Sequence, residues 1–90
     1  MKYVGVDLHK QVIALCVVTV ECGQRRVVAR RRLICRDTEA VDKFFAGLGA
    51  FEVAVEATAA YEWFLQRIER QASRIVLVHP RKMRVSAALP

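Results

Sequence analysis

Two acidic residues each stand at the end of a predicted β-strand. Asp7 closes the run at residues 3–7, and Glu56 directly follows the run at residues 51–55. If these strands are parallel neighbours, both carboxylates emerge at one edge of the sheet, with the strands about 4.8 Å apart. A divalent cation would relieve their repulsion, and Mg²⁺ (or Mn²⁺ as its substitute) takes one or two carboxylates together with water and phosphate oxygens. The pattern therefore predicts a cation site suited to phosphodiester displacement. Alternatively, both acids are ordinary polar strand ends, and Glu56 only favours the start of a helix.

Arginine dominates a twelve-residue stretch, residues 25–36, that contains no acid. On a strand at residues 27–34, Arg30 and Arg32 share one face, and such a row can follow a phosphate backbone. The alternative is that these charges protect an edge strand from aggregation.

Four more basic residues are candidates for nucleic-acid binding. Lys10 follows Asp7 by three residues, in a predicted turn where it could hold a phosphate. The other three begin the last predicted helix, whose backbone N–H groups also favour phosphate; they are Arg81, Lys82 and Arg84. The alternative in each case is ordinary solvated surface charge.

Length and composition indicate one domain with an anionic partner. The 90 residues are 54% hydrophobic, which excludes a disordered tail, and 15 basic against nine acidic residues give a net charge of +6. Solubility alone is the alternative explanation for that charge. Three cysteines without a CxxC pattern argue against a disulfide scaffold or zinc site and favour a reducing cytoplasm. The longest uncharged run, residues 11–20, is too short to span a membrane.

The hydrophobic pattern predicts the element order β-β-β-α-β-α-β-α. β-type runs occupy residues 3–7, 12–20, 27–34, 51–55 and 75–78. Helices are expected after the caps Asp37 and Thr58 and again after Pro80. Right-handed crossovers then give a mixed five-stranded sheet of order 3-2-1-4-5, which has the outline of a ribonuclease-H-like, RuvC-like α/β fold.

Three short segments resemble one protein family. GVDLHK (residues 5–10), VEATAAYEW (residues 55–63) and VLVHPRKMRVSA (residues 76–87) are similar, in order, to segments of the DEDD transposases of bacterial insertion sequences. These are the Piv-invertase-like, bridge-RNA-guided recombinases. Ala59 departs from the family pattern, which usually has Gly there. That change is harmless if Ala59 lies in the first turn of a helix capped by Thr58, and costly if the position needs a positive φ.

The resemblance implies that residues 1–90 are the N-terminal portion of a catalytic domain. Such a domain binds Mg²⁺ through four acids, of which Asp7 and Glu56 match the first two. The last two belong to a segment beyond Pro90, so the fold is expected to be incomplete at its C-terminus. The family further implies DNA, a structured guide RNA and a homo-oligomer as partners. The cysteines and the short apolar run separately predict a cytoplasmic location and no membrane.

Three functions follow as hypotheses. The first is phosphodiester cleavage and strand transfer by the full-length transposase, with this chain alone expected to be inactive. The second is a non-catalytic basic module that binds nucleic acid. The third, a sugar-kinase or actin relative, is disfavoured because residues 8–11 contain no Gly-rich phosphate turn. His9 and His79 are not expected to be catalytic, and Tyr61 and Trp63 are expected to pack rather than stack on bases.

Overall fold

The computed structural model of the chain describes residues 1–56 and 61–78. The strands are β1 (Lys2–Leu8), β2 (Val12–Glu21), β3 (Gln24–Ile34), β4 (Phe51–Glu56) and β5 (Arg74–Val78). The helices are α1 (Thr38–Ala46) and α2 (Glu62–Ile68). The predicted third helix lies outside the described residues, and so do Thr58, Ala59 and His79.

The five strands form one mixed sheet in the order β3-β2-β1-β4-β5, as predicted. β1 pairs antiparallel with β2, and β2 pairs antiparallel with β3. The β1–β4 and β4–β5 pairs are parallel. In the chain, α1 comes directly before β4, and α2 lies between β4 and β5. The sheet therefore begins as a meander and ends as a parallel crossover unit.

Alternation along the strands divides the sheet into two faces. Val4, Val6 and Leu8 of β1 are buried, and they join Phe45 of α1 and Phe64 of α2 in one core cluster. The ring of Phe45 packs against Phe51 at 5.3 Å and against Phe64 at 5.6 Å between centroids. Both helices consequently lie on this face.

The opposite face, here called the open face, carries the alternate residues of each strand. In β1 these are Tyr3, Gly5 and Asp7. Among the described residues no helix covers it, and Tyr3 and Val76 are each 40% exposed there. The open face is therefore the accessible side on which residues of all five strands can meet a partner.

Local signals set where the helices begin and end. Asp37 caps α1, because its Oδ1 accepts a hydrogen bond from the backbone N–H of Ala40 at 3.1 Å, and Gly47 ends the helix. The second helix differs from the prediction: its N-cap position is Tyr61, with no side-chain cap, and α2 begins only at Glu62. Neither helix in the described part of the chain is long and apolar enough to cross a membrane.

The β2–β3 connection is a tight two-residue turn. Glu21 pairs with Gln24, and the two residues between them, Cys22 (φ 53°) and Gly23 (φ 75°), both have positive φ. Positive φ at both central positions is typical of the type I′ turn, whose twist matches that of the flanking strands. The turn lets β3 extend three residues further towards its N-terminus than the sequence predicts.

Candidate functional site

Asp7 and Glu56 are directly paired residues of neighbouring parallel strands. Asp7 lies opposite Glu56 in the β1–β4 register, and both lie on the open face because they alternate with the buried Val6 and Val55. Both residues are half-buried. Glu56 is the last residue of β4 rather than the residue after it, and β1 runs one residue beyond Asp7. The structure thus brings together the two carboxylates that the sequence singles out.

A groove of about 620 Å³ runs over the open face beside these acids. One cross-strand row places Arg32 beside Ala14, Ala14 beside Asp7, and Asp7 beside Glu56. The next row joins Arg30, Cys16, Gly5 and Ala54 in the same way. Small side chains therefore form the floor of the groove, between the arginines of β3 and the carboxylates of β1 and β4.

The predicted basic residues have different positions. Arg30 and Arg32 are exposed and line the groove. Lys10 is exposed in the turn after β1, close in sequence to Asp7 but outside the groove lining. Arg81, Lys82 and Arg84 lie outside the described residues, so their role stays a prediction.

His9 is the site neighbour that sequence reasoning missed. Its Nε2 lies 3.1 Å from Oδ2 of Asp7. The sequence places His9 past the strand end, where strand alternation no longer predicts its direction. In the structure, the backbone N–H of His9 donates to the carbonyl of Val12 at 2.9 Å, and this closes the turn with the imidazole against Asp7. The only sequence signal was the two-residue spacing between them.

The donor set fits a hard divalent cation that keeps part of its water shell. Asp7 and Glu56 supply carboxylate oxygens, the ligands that Mg²⁺ and Mn²⁺ accept together with water and phosphate. Within residues 1–56 and 61–78, no group of three or more His, Cys, Asp or Glu side chains is arranged to hold a metal ion. A cation here would therefore depend on water, phosphate or further acids for the rest of its coordination.

Other charged residues form ion pairs away from Asp7 and Glu56. Arg67 of α2 donates two hydrogen bonds of 3.0 Å to the carboxylate of Asp42 in α1. This hydrogen bonding raises the pKa of Arg67 above its usual value, against an opposing desolvation effect and with a lesser contribution from the charge of Asp42. Within the described part of the chain Glu56 forms no ion pair, whereas Glu52 lies 4.0 Å from Arg74. Glu56 is thus left available for another cation.

The two aromatic residues of the second motif segment pack as expected. Trp63 meets Phe64 edge to face at 5.8 Å between ring centroids. Trp63 and Tyr61 are both half-buried against the core cluster on the helical face, away from the groove.

Comparison with known proteins identifies the architecture. No protein-family model and no curated protein matches the sequence. Among solved structures, Thermus thermophilus RuvC in complex with a Holliday junction substrate superposes with a TM-score of 0.65 at 18% identity, covering 98% of this chain and 72% of that one. The fold is ribonuclease-H-like. Fowlpox virus resolvase, in complex with Holliday junction DNA, also gives a TM-score of 0.65, at 11% identity, over 89% of this chain and 61% of that chain.

A member of another protein family shares this sheet. The Aquifex aeolicus member of the Ppx/GppA family gives a TM-score of 0.55 at 13% identity, over 91% of this chain. This chain spans 36–72% of the lengths of these three relatives. At such identities the likeness defines the fold, and function has to be argued from the site residues.

Proposed function

We propose that residues 1–90 are the N-terminal portion of the catalytic domain of a Mg²⁺-dependent DNA transposase of the DEDD type. The full-length protein would cleave phosphodiesters and transfer strands during insertion-sequence transposition. The observation that carries this proposal is the direct pairing of Asp7 with Glu56 at one end of two parallel strands. The three motif segments support the same family, and two structural relatives hold Holliday junction DNA.

The residues of this chain would have distinct tasks in that reaction. Asp7 and Glu56 would hold the cation through their carboxylate oxygens. A bound divalent cation supplies activation of the attacking oxygen and stabilisation of the leaving oxygen. Lys10, in the turn that follows β1, would neutralise charge on a phosphate held near Asp7.

Arg30 and Arg32 would hold the DNA backbone along the groove. They are exposed, share the open face with the carboxylates, and lie across a floor of small side chains from them. Arg81, Lys82 and Arg84 are proposed as further phosphate contacts. The guide RNA and the homo-oligomer are proposed from the family resemblance alone.

A non-catalytic nucleic-acid-binding module is the second candidate. It is favoured by the small number of carboxylates at the sheet edge, since the described residues offer two and no third ligand joins them. The arginine-lined groove would serve such a module equally well. The two candidates differ in whether Asp7 and Glu56 bind a cation.

The test is a crystal of this chain soaked in Mn²⁺ and examined by anomalous scattering. We expect a peak between Asp7 and Glu56 that disappears in Asp7→Asn and in Glu56→Gln. Glu52→Gln is the matched control, because Glu52 lies on the same strand and face four residues earlier and should leave the peak unchanged. If neither this chain nor the full-length protein binds Mn²⁺ there, the binding module is the better description.

A further inference from the structure

The imidazole of His9 contacts the carboxylate of Asp7, one of the two acids of the candidate cation site. Nε2 of His9 lies 3.1 Å from Oδ2 of Asp7, which is within hydrogen-bonding distance. The two side chains are 55% and 42% exposed, so neither is locked in place by burial. The roles proposed above leave His9 without a function.

The backbone around His9 is fixed independently of its side chain. Its N–H donates to the carbonyl of Val12, and its own carbonyl lies 3.7 Å from Sγ of Cys35. The N–H of Cys35 donates to the carbonyl of Gln11 at 2.8 Å, which ties the residue after β3 to the same turn. The place of the imidazole beside Asp7 is therefore set by the ends of three strands.

We propose that His9 is a positioning residue that holds Oδ2 of Asp7 and leaves Oδ1 as the oxygen available to the cation. This inference rests on the proposed cation site. A partly exposed carboxylate otherwise loses rotational freedom when it binds a cation, and an existing contact to one oxygen reduces that loss. Partners of this kind, which contact a metal ligand rather than the metal, typically change metal affinity by about 10–100-fold when removed.

His9 has a conservative replacement that can keep the contact with Asp7. The amide nitrogen of Gln is the same number of bonds from Cα as Nε2 of His, so His9→Gln can still donate to Asp7. His9→Leu removes the donor at similar volume, and His9→Asn keeps an amide that is one bond too short. Gln11→Leu is the matched control, because Gln11 is exposed in the same turn and contributes only its backbone to the contacts described.

The experiment measures Mn²⁺ affinity by electron paramagnetic resonance and the ¹³C shift of the Asp7 carboxyl carbon by NMR without metal. We expect His9→Leu to weaken Mn²⁺ binding about tenfold and to move the Asp7 shift. His9→Gln should restore both quantities, and Gln11→Leu should leave both unchanged. A merely structural role for His9 would not distinguish Gln from Leu at the Asp7 carbon.

The outcomes separate this inference from the proposed function. If the unaltered chain binds Mn²⁺ and His9→Leu binds it equally well or more tightly, the positioning role is wrong and the cation site stands. If neither the unaltered chain nor the full-length protein binds Mn²⁺, the cation site itself is wrong and the positioning role falls with it. Should His9→Leu fail to fold, the comparison of His9→Gln with His9→Asn gives the same decision.

Discussion

Asp37 links the end of the meander to the helix that covers the core. Its Oδ1 accepts from the N–H of Ala40, which satisfies one of the four backbone donors that an α-helix leaves open at its start. We expect Asp37→Ala to lower the free energy of unfolding by about 1 kcal/mol, measured by urea denaturation. Asp37→Asn is the control, since Asn keeps the acceptor and removes the charge. An equal loss in both variants would show that the charge at the helix start matters more than the hydrogen bond.

The acids of the candidate site could be predicted from the sequence because strand alternation fixes their direction. Asp7 and Glu56 each end a run whose neighbours are buried, so the crossover rule is enough to put them side by side. His9 could not be predicted in this way. Its position depends on how the β1–β2 turn closes. Hydrogen bonds from the N–H of His9 to the carbonyl of Val12 and from the N–H of Cys35 to the carbonyl of Gln11 hold that turn, and no local sequence pattern predicts them.

At the scale of elements, the β2–β3 hairpin depends on two residues with positive φ. A residue other than Gly pays roughly 1–2 kcal/mol in a left-handed conformation, and Asn tolerates it better than most. We therefore expect Cys22→Asn to raise the free energy of unfolding by about 0.5–1 kcal/mol and Gly23→Ala to lower it by about 1 kcal/mol. Urea denaturation of both variants measures these changes.

Gly47 provides the control for the hairpin prediction. It has φ −80°, and an added Cβ would lie 3.5 Å from the nearest atom, the carbonyl oxygen of Lys43, an ordinary contact. Gly47→Ala should therefore have little effect on stability. If Gly47→Ala and Gly23→Ala destabilise the protein equally, backbone conformation at the turn is not the cause.

The seven described elements followed from the sequence, with strand ends within one residue of the prediction except at the start of β3; the start of α2 also differs. β3 was expected to begin at residue 27. In the structure a two-residue turn allows β3 to pair with β2 from Gln24 onwards. Arg25 and Arg26 are polar, so the hydrophobic pattern did not indicate this part of the strand. The start of α2 was expected after Thr58, but the described helix begins at Glu62. Phe64 and Ile68, four residues apart on this helix, are both buried in the core.

At the scale of the whole molecule, where the positive charges lie matters more for binding a polyanion than the net charge does. The net charge is +6, but Arg67 on the helical side is paired with Asp42. Arg30 and Arg32 instead stand on the open face beside an apolar floor. Within the described part of the chain, this face thus offers a polyanion two exposed arginines beside the groove.

Salt dependence can separate a dedicated surface from net charge alone. Each phosphate contact to duplex DNA contributes about 0.9 to the slope of log K against log salt concentration, so replacing Arg30 and Arg32 with Gln should reduce the slope by about 1.8. Fluorescence anisotropy with a duplex of arbitrary sequence, at several salt concentrations, measures it. Replacing Arg26 and Arg70 with Gln is the control, because both are exposed and outside the groove lining, and both double variants have the same net charge. Equal slopes in the two double variants would mean that the basic residues act only through total charge, and that the groove is not the path of the DNA.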